Sequence, residues 1–317
     1  MRTRLLVGIS LAVAIIALLL ADGYLSARPA PVLQVPGLRL DVGPWLTNGA
    51  ICTVVVLILT VLATYELVQL ARVRGHRPFG LTAQVFAAAL VIGPYVSFNL
   101  TPITGGYDES LPMLWLAVAL GFAFLWQAVK CGTQHAVENV AVTFFIVFYA
   151  GGLAGFMTKL RMEVGGPTGV AVLLFSNFLV KITDTGAYFT GRALGRHKLI
   201  AWLSPKKTWE GFVGGLVTTV VLALAIGHLL HTAGIVRIEE RYMAYPWALV
   251  LLGLLLGLFS AAGDLCASLL KRDAAVKDSG QALPGLGGVL DVLDSPLLAA
   301  PVAWLFWTRM FHVVLGG

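Results

Sequence analysis

The sequence predicts an all-α, polytopic membrane protein of about nine transmembrane helices, with its N-terminus on the cytoplasmic side. Three observations carry this. Of 317 residues, 58% are hydrophobic and 12% charged, with a mean hydropathy of +0.86. Soluble domains carry about 25% charged residues, so a soluble globular enzyme is excluded. Disorder is excluded too, since it needs low hydrophobicity and high charge. Next, the apolar residues form continuous runs near the roughly 20 residues a spanning helix needs, without the alternation of a barrel strand. Finally, Lys and Arg fall unequally on the two sides that alternate between runs.

The runs cover about 5–21, 50–71, 82–98, 112–129, 140–157, 170–190, 211–231, 247–270 and 296–315. The first follows a basic start, Met1-Arg2-Thr3-Arg4, a pattern shared with secretory signal peptides. No small-x-small site follows Leu20-Ala21-Asp22-Gly23, so a retained first span is expected. The 22–49 connection, with Pro29, Pro31, Pro36 and Pro44, reads as an irregular outer loop. With the N-terminus inside, the inner side holds Arg2, Arg4, Arg72, Arg74, Arg77, Lys130, Arg192, Arg196, Lys198, Lys206, Lys207, Lys271, Arg272 and Lys277, 14 of 22 basic residues. The outer side holds Arg28, Arg39, Lys159, Arg161, Arg237 and Arg241, and Lys181 and Arg309 fall within spans. Residues 1–160 read as N-terminal transmembrane helices and 161–317 as the C-terminal catalytic region. Cys52, Cys131 and Cys266 are scattered, show no metal spacing and read as small buried hydrophobes. The pairs Gly211/Gly215 and Gly253/Gly257 read as close helix packing, and the six His residues show no ligand spacing.

Two stretches break the apolar pattern. Residues 181–210 and 264–294 hold eight charges each, 16 of the 38 in the chain. Both begin inside an apolar run and continue into loops on the same side, so they can meet. Lys181 and Asp184, at i and i+3, share a helix face, and Asp264 follows Ser260-Ala261-Ala262-Gly263. A charge at mid-membrane costs at least about 2.5–3.5 kcal/mol on insertion scales and normally faces a partner or a wet cavity. A structural ion pair for Lys181/Asp184 and an interfacial position for Asp264 are the plain alternatives. Asp264, Ser268, Lys271 and Arg272 fall near one helix face. Pro284, Gly285, Gly287 and Gly288 would let backbone approach a ligand. Asp291 and Asp294 share a face if helical. Asp294-Ser295-Pro296 also reads as an N-cap followed by Pro in a first turn, and Asp291 as a solvated loop acid.

Carboxylates beside Lys and Arg suit phosphate chemistry. Mg²⁺ prefers one or two carboxylates plus substrate phosphates, and Lys and Arg neutralise the remaining oxygens. Asp184, Asp264, Asp278, Asp291 and Asp294 could supply such a site. Ser204-Pro205-Lys206-Lys207-Thr208, just before an apolar run, could hold phosphates through side chains and a helix N-terminus; a positive loop meeting anionic headgroups is the alternative. Gly186-Ala187-Tyr188-Phe189-Thr190-Gly191-Arg192-Ala193 lacks the Lys and Ser/Thr of a P-loop.

The run from Ser268 to Asp294 resembles the signature of the phosphatidate cytidylyltransferases, or CDP-diacylglycerol synthases: S-x-aliphatic-K-R-x4-K-D-x-small, then L-P-x-H-G-G-aliphatic-x-D-R-aliphatic-D. Ser268, Lys271, Arg272, Lys277, Asp278, Gly280, Leu283, Pro284, Gly287, Gly288, Asp291 and Asp294 match in place. Gly263-Asp264, Asp184-Thr185-Gly186-Ala187-Tyr188, Gly191-Arg192 and Ser204 to Gly211 are similar to the family as well. Leu286 stands where the family has His, and Val292 where it has Arg.

The resemblance implies attack of the phosphatidate phosphate on the α-phosphorus of CTP, giving CDP-diacylglycerol and pyrophosphate in the inner membrane, as a step of phospholipid biosynthesis. It implies Asp264 and Asp291 as the first metal candidates, with Asp184, Asp278 and Asp294 behind them. Lys206, Lys207, Lys271, Arg272 and Lys277 would hold phosphates, helped by Arg192, Ser204, Thr208, Ser268, Gly287 and Gly288. Mg²⁺ is the expected metal, with K⁺ beside it an option. The partners are CTP, phosphatidate and membrane lipid, with no nucleic acid and a homodimer left open. Asp264 and Asp291, from separate helices, are expected to converge. A CTP-dependent polyprenol or phytol kinase, a secondary transporter and a silent scaffold are the rival readings.

Overall fold

The computed structural model describes residues 2–31, 43–104, 110–234, 246–280 and 287–310. Leu283, Pro284, Gly285 and Leu286, residues 32–42 of the proline-rich connection with Pro36 and Arg39, and Arg237 and Arg241 lie outside the described residues. Among those described, nine helices are long and apolar enough to span a membrane, and the chain is a multi-pass all-α protein. The helices are α1 (Arg2–Ser26), the short α2 (Gly43–Thr47), α3 (Ala50–Val73), α4 (Gly80–Thr104), α5 (Leu111–Lys130), α6 (Ala136–Ile146), α7 (Leu153–Val164), α8 (Gly166–Leu194), α9 (Trp209–Thr232), α10 (Pro246–Asp273) and α11 (Val289–Leu305). A π-helical turn, Val147–Gly152, joins α6 to α7 in one span. Two compact units result: Met1–Val170 with Asp273–Asp291, and Ala171–Arg272 with Val292–Gly317.

In unit 1, α4 packs on α3, α5 and the α6–α7 span. Small residues allow it: a Cβ on Gly155 would stand 2.7 Å from the Leu90 carbonyl oxygen. The same unit encloses a charge pair. Arg161 Nε lies 2.8 Å from Asp22 Oδ2, with the two side chains 0% and 1% exposed. Asp22 Oδ1 also accepts from the Ile51 and Cys52 N–H groups at 3.1 and 3.3 Å, first-turn donors that α3 cannot satisfy itself. The end of the first segment thus supplies the counter-ion of Arg161. Arg161 and Lys159 lie inside α7 rather than in an outer loop, with Lys159 Nζ 3.6 Å from Glu163.

Unit 2 is α8 from residue 171, a hairpin, α9, α10 to residue 272 and most of α11. The basic run after α8 is not a plain loop. β1 (Lys198–Ile200) pairs antiparallel with β2 (Ser204–Thr208). Glu210, in the first turn of α9, accepts from the Arg196 and His197 N–H groups at 3.1 and 3.2 Å and contacts His197 Nδ1 at 2.6 Å. Helix α9 meets α8 nearly backbone to backbone: a Cβ on Gly211 would lie 2.8 Å from Ala187 O, and one on Gly215 2.8 Å from Thr183 O. Gly253 abuts the backbone of Val220, so both glycine pairs serve packing as expected.

The ninth span differs from expectation. It begins at Val289, seven residues before the predicted start, so Asp294 lies within the helix, as do Pro296 and Pro301. The Asp294-Ser295-Pro296 N-cap does not form, because the helix is capped further upstream.

Losing one member of a buried ion pair leaves an uncompensated charge, costing about 3–5 kcal/mol. Asp22→Ala should therefore destabilise the purified protein by about that much in detergent unfolding. Asp22→Leu with Arg161→Met should recover most of it.

Candidate active site

Unit 2 contains a cavity of about 300 Å³ lined by Asp184, Arg192, Lys206, Lys207, Thr208 and Asp264, among others. The side chains arrive on three supports. Helix α8 carries Asp184 and Arg192, the hairpin carries Lys206 and Lys207, and α10 carries Asp264. Thr208 N-caps α9, its hydroxyl accepting from the Gly211 N–H at 3.1 Å. Ser260 Oγ donates to the Val180 carbonyl at 3.0 Å, tying α10 to α8. A Cβ on Gly263 would lie 2.5 Å from the Asp294 carbonyl oxygen. Helix α10 therefore touches α11 one residue before Asp264.

The acids here are matched by lysines. Lys207 Nζ is 2.6 Å from Asp264 Oδ2, and Lys181 Nζ is 3.6 Å from Asp294 Oδ1. Ser268 Oγ donates to Asp264 Oδ1 at 3.3 Å, and Ser295 Oγ to Asp184 Oδ2 at 3.4 Å. Asp264 and Asp294 lie close enough to Asp184 to act on it electrostatically, as do Lys181 and Lys207, and Lys271 acts on Asp294. Lys181 thus pairs with an acid on another helix, as the ion-pair reading allowed, though the partner is Asp294. The structure brings Asp184, Asp264, Asp294, Arg192, Lys206, Lys207, Thr208, Ser268 and Lys271 into one neighbourhood. Ser204, at the start of β2, and the exposed Arg272 do not line the cavity.

Lys277, Asp278, Gly287, Gly288 and Asp291 belong to unit 1. Lys277 and Asp278 are exposed. Asp291 Oδ2 accepts from the Ser279 N–H at 2.9 Å, the Ser279 hydroxyl at 3.1 Å and the Gly288 N–H at 2.9 Å. It is therefore no solvated loop acid. It sits three residues into α11 and reaches back to the N-cap backbone, half of a capping box. The Gly288 N–H that could have faced a phosphate is spent on this bond. Gly287 has φ +97°, and a Cβ there would lie 2.6 Å from Asp291 Oδ2, so both position and conformation require glycine.

Sequence reasoning missed Glu66. This α3 residue is 4% exposed. Its Oε1 accepts from the Val289 N–H at 2.8 Å, and its Oε2 from the Leu290 N–H at 2.9 Å and the Ser279 hydroxyl at 2.8 Å. Glu66 and Asp291 together satisfy the Gly288, Val289 and Leu290 N–H groups at the start of α11, which is why the helix starts at 289. One acid in an otherwise apolar run was the only signal, and nothing in the sequence connects it to a loop more than 200 residues away.

The donor set fits a hard divalent cation. It offers carboxylate and hydroxyl oxygens, and two of its acids already face ammonium groups standing where a cation is wanted. Among the described residues no three His, Cys, Asp or Glu side chains form a closed metal nest. Mg²⁺ sites commonly use one or two carboxylates and take their remaining oxygens from elsewhere.

Glu66→Gln turns one acceptor into a donor facing the α11 N–H groups. Leaving a buried donor unmet costs about 1–3 kcal/mol. Thermal unfolding should register that loss, and the effect should be less than additive with Ser279→Ala.

Residues 42–310 match the model of the cytidylyltransferase family. The chain is 30% identical over 302 residues to the phosphatidate cytidylyltransferase of Synechocystis sp., covering 87% of this chain and 92% of that protein. It is 31% identical over 257 residues to the enzyme of that name from Staphylococcus aureus, covering 81% and 90%. The Staphylococcus epidermidis protein of the same name is 32% identical over 259 residues, with the same coverage. A match spanning nearly all nine hydrophobic helices, on top of a cavity where acids face lysines, shows that the chain belongs to the cytidylyltransferase family, membrane nucleotidyltransferases of phospholipid biosynthesis.

Proposed function

We propose that the chain transfers the cytidylyl group of CTP to phosphatidate, giving CDP-diacylglycerol and pyrophosphate. One observation supports this most: a single cavity where Asp184 and Asp264 meet Arg192, Lys206, Lys207 and Thr208. The lipid phosphate oxygen forms a bond to the α-phosphorus of CTP as the bond to the bridging oxygen of the β-phosphate breaks, and pyrophosphate leaves. The nucleophile is already anionic near neutral pH. The site therefore has to position two anions and cancel their repulsion rather than remove a proton.

Lys207 is the mobile element of this reading. It neutralises Asp264 in the resting site and turns to the triphosphate when nucleotide arrives. Lys206 and Arg192 hold the outer phosphates, and the start of α9, fixed by Thr208, offers backbone N–H groups to one of them. Asp264 and Asp184, with Asp294 behind them, would hold Mg²⁺, which when bound neutralises charge on the phosphoryl oxygens. K⁺ would be a second, weaker cation at the same acids. Asp278, Lys277 and Asp291, which the family signature also marks, belong to unit 1, where Glu66 and Asp291 organise the start of α11. The lysine-rich loops are assigned to the cytosol, from which CTP comes, with the chain in the inner membrane and its N-terminus inside.

Supplying phosphatidate, CTP labelled at the α-phosphorus and Mg²⁺ to detergent-solubilised protein should yield labelled lipid and unlabelled pyrophosphate. Released CDP with a phosphorylated lipid would instead identify a lipid kinase. Chelation should stop turnover and Mg²⁺ restore it. Asp264→Asn should lower kcat by about 10²–10³-fold, the scale of losing one transition-state charge partner, with unfolding little changed. A near-normal rate in that variant would remove Asp264 from the chemistry.

A further inference from the structure

Unit 1 holds a second cavity, of about 390 Å³, that the transfer chemistry leaves unused. It opens beside the first turn of α4. Its walls are apolar and largely aromatic: Phe79, Leu81, Val85, Phe86, Phe122 and Trp126. Leu81 and Val85 are 70% and 54% exposed, so the cavity opens outward from the unit, where lipid would lie.

Its rim is electrostatically one-sided. Arg72, in the last turn of α3, lies over the start of α4, and a Cβ on Gly80 would stand 3.4 Å from Arg72 Nη2. The N–H groups of Gly80, Leu81 and Thr82 belong to the first helical turn and have no carbonyl partner within the helix. That end of α4 carries the positive pole of the helix dipole. Arg72 stands at the negative pole of its own helix, where a cation is favoured, and at the same time faces the positive end of α4. Lys130 adds a second charge, its Nζ 5.8 Å from the centre of the Trp126 ring. Among the described residues no carboxylate pairs with Arg72; Asp273 is taken by Arg74, Glu138 by His76 and His135, and Glu66 by the start of α11. Thr82 lines the cavity at 5% exposure, and no described residue hydrogen-bonds its hydroxyl. Such an arrangement calls for an anion with an apolar body.

We propose that this cavity binds an anionic phospholipid. Its phosphate sits on Arg72, the Thr82 hydroxyl and the first N–H groups of α4, and an acyl chain lies along the aromatic wall. A free phosphate would answer the rim and leave the wall empty. A zwitterionic lipid would fill the wall and bring a second cation to a site already rich in positive charge. Basic pockets between membrane helices are a recognised form of headgroup site, and Trp126 suits the interfacial level.

The test uses the full-length protein in micelles doped with phosphatidylglycerol, with phosphatidylcholine, or with inorganic phosphate alone. Phosphatidylglycerol is neither substrate nor product of the proposed reaction, so the result reads separately from catalysis. Native mass spectrometry should show phosphatidylglycerol retained in preference to phosphatidylcholine, with a rise in thermal midpoint that inorganic phosphate does not reproduce. Arg72→Gln should weaken that retention about tenfold or more, the scale of a lost charge-assisted hydrogen bond. Val85→Trp, which fills the wall and leaves every charge in place, should weaken it too. Equal retention of the two lipids, retention indifferent to Arg72→Gln, or an equal response to inorganic phosphate would each overturn the proposal.

Discussion

An ionised carboxylate inside a hydrophobic bundle must find a positive charge or a hydrogen-bond donor within reach, because lipid and packed side chains offer neither. The chain meets this demand in two ways. Asp264 and Asp294 are answered by lysine ammonium groups. Glu66 and Asp291 are answered by backbone N–H groups at the start of α11. The difference is chemical. A lysine sits on a flexible four-carbon stem and can leave when a stronger cation or a phosphate competes for it. A backbone N–H in a helix cannot leave without unwinding the helix. Acids of the first kind can therefore exchange partners, and acids of the second kind hold structure. Asp264 and Lys207 line the cavity, whereas Glu66 lies beneath the turn that leads into α11.

Supporting these acids requires helices to approach more closely than ordinary side chains permit. Gly211 and Gly215 place α9 against the carbonyls of α8, and Gly263 places α10 against the backbone of Asp294. Without a hydrophobic force to join helices in lipid, such van der Waals contact is a main source of association. The same contact decides where the charged side chains point. Thr183 and Thr219, 2.7 Å apart at the α8–α9 seam, satisfy each other and leave the neighbouring Asp184 to face the cavity.

The fold class and the approximate place of the spans, apart from the start of the ninth, were legible, since hydrophobic length is a one-dimensional property. Much of the site in unit 2 was legible for a related reason. A charge within an apolar run is costly, so Asp184, Lys181 and Asp264 marked themselves. What could not be read depends on partners distant in the chain. Arg161 looked like a loop cation because its counter-ion, Asp22, lies 139 positions away. The start of α11 was misplaced because the eye falls on Pro296, while the caps that begin the helix, Glu66 and Asp291, act through backbone N–H groups with no sequence signature. The hairpin of residues 198–208 is too short and polar to show strand periodicity, and depends on Glu210 and His197 to close it.

Asp291 is given one role by the family signature and another by the local geometry. The resemblance marks it as a metal ligand, and the geometry makes it a cap. Three donors converge on Oδ2, so any ligand role would have to be carried by Oδ1. A carboxylate oxygen held by two backbone N–H groups and a hydroxyl fixes the rotamer and plane of the whole group, as the outer hydrogen bonds of metal ligands do. The cost of ordering that side chain is then met by helix formation rather than at the moment a cation arrives. On this view Glu66 and Ser279 are not ornaments of the cap. Glu66 takes the Val289 and Leu290 donors, which leaves Asp291 to take Gly288, and so two acids divide one helix end without competing for the same N–H. Without Glu66 the Val289 and Leu290 N–H groups would lose the acceptor that holds them, and the helix end would rest on Asp291 alone.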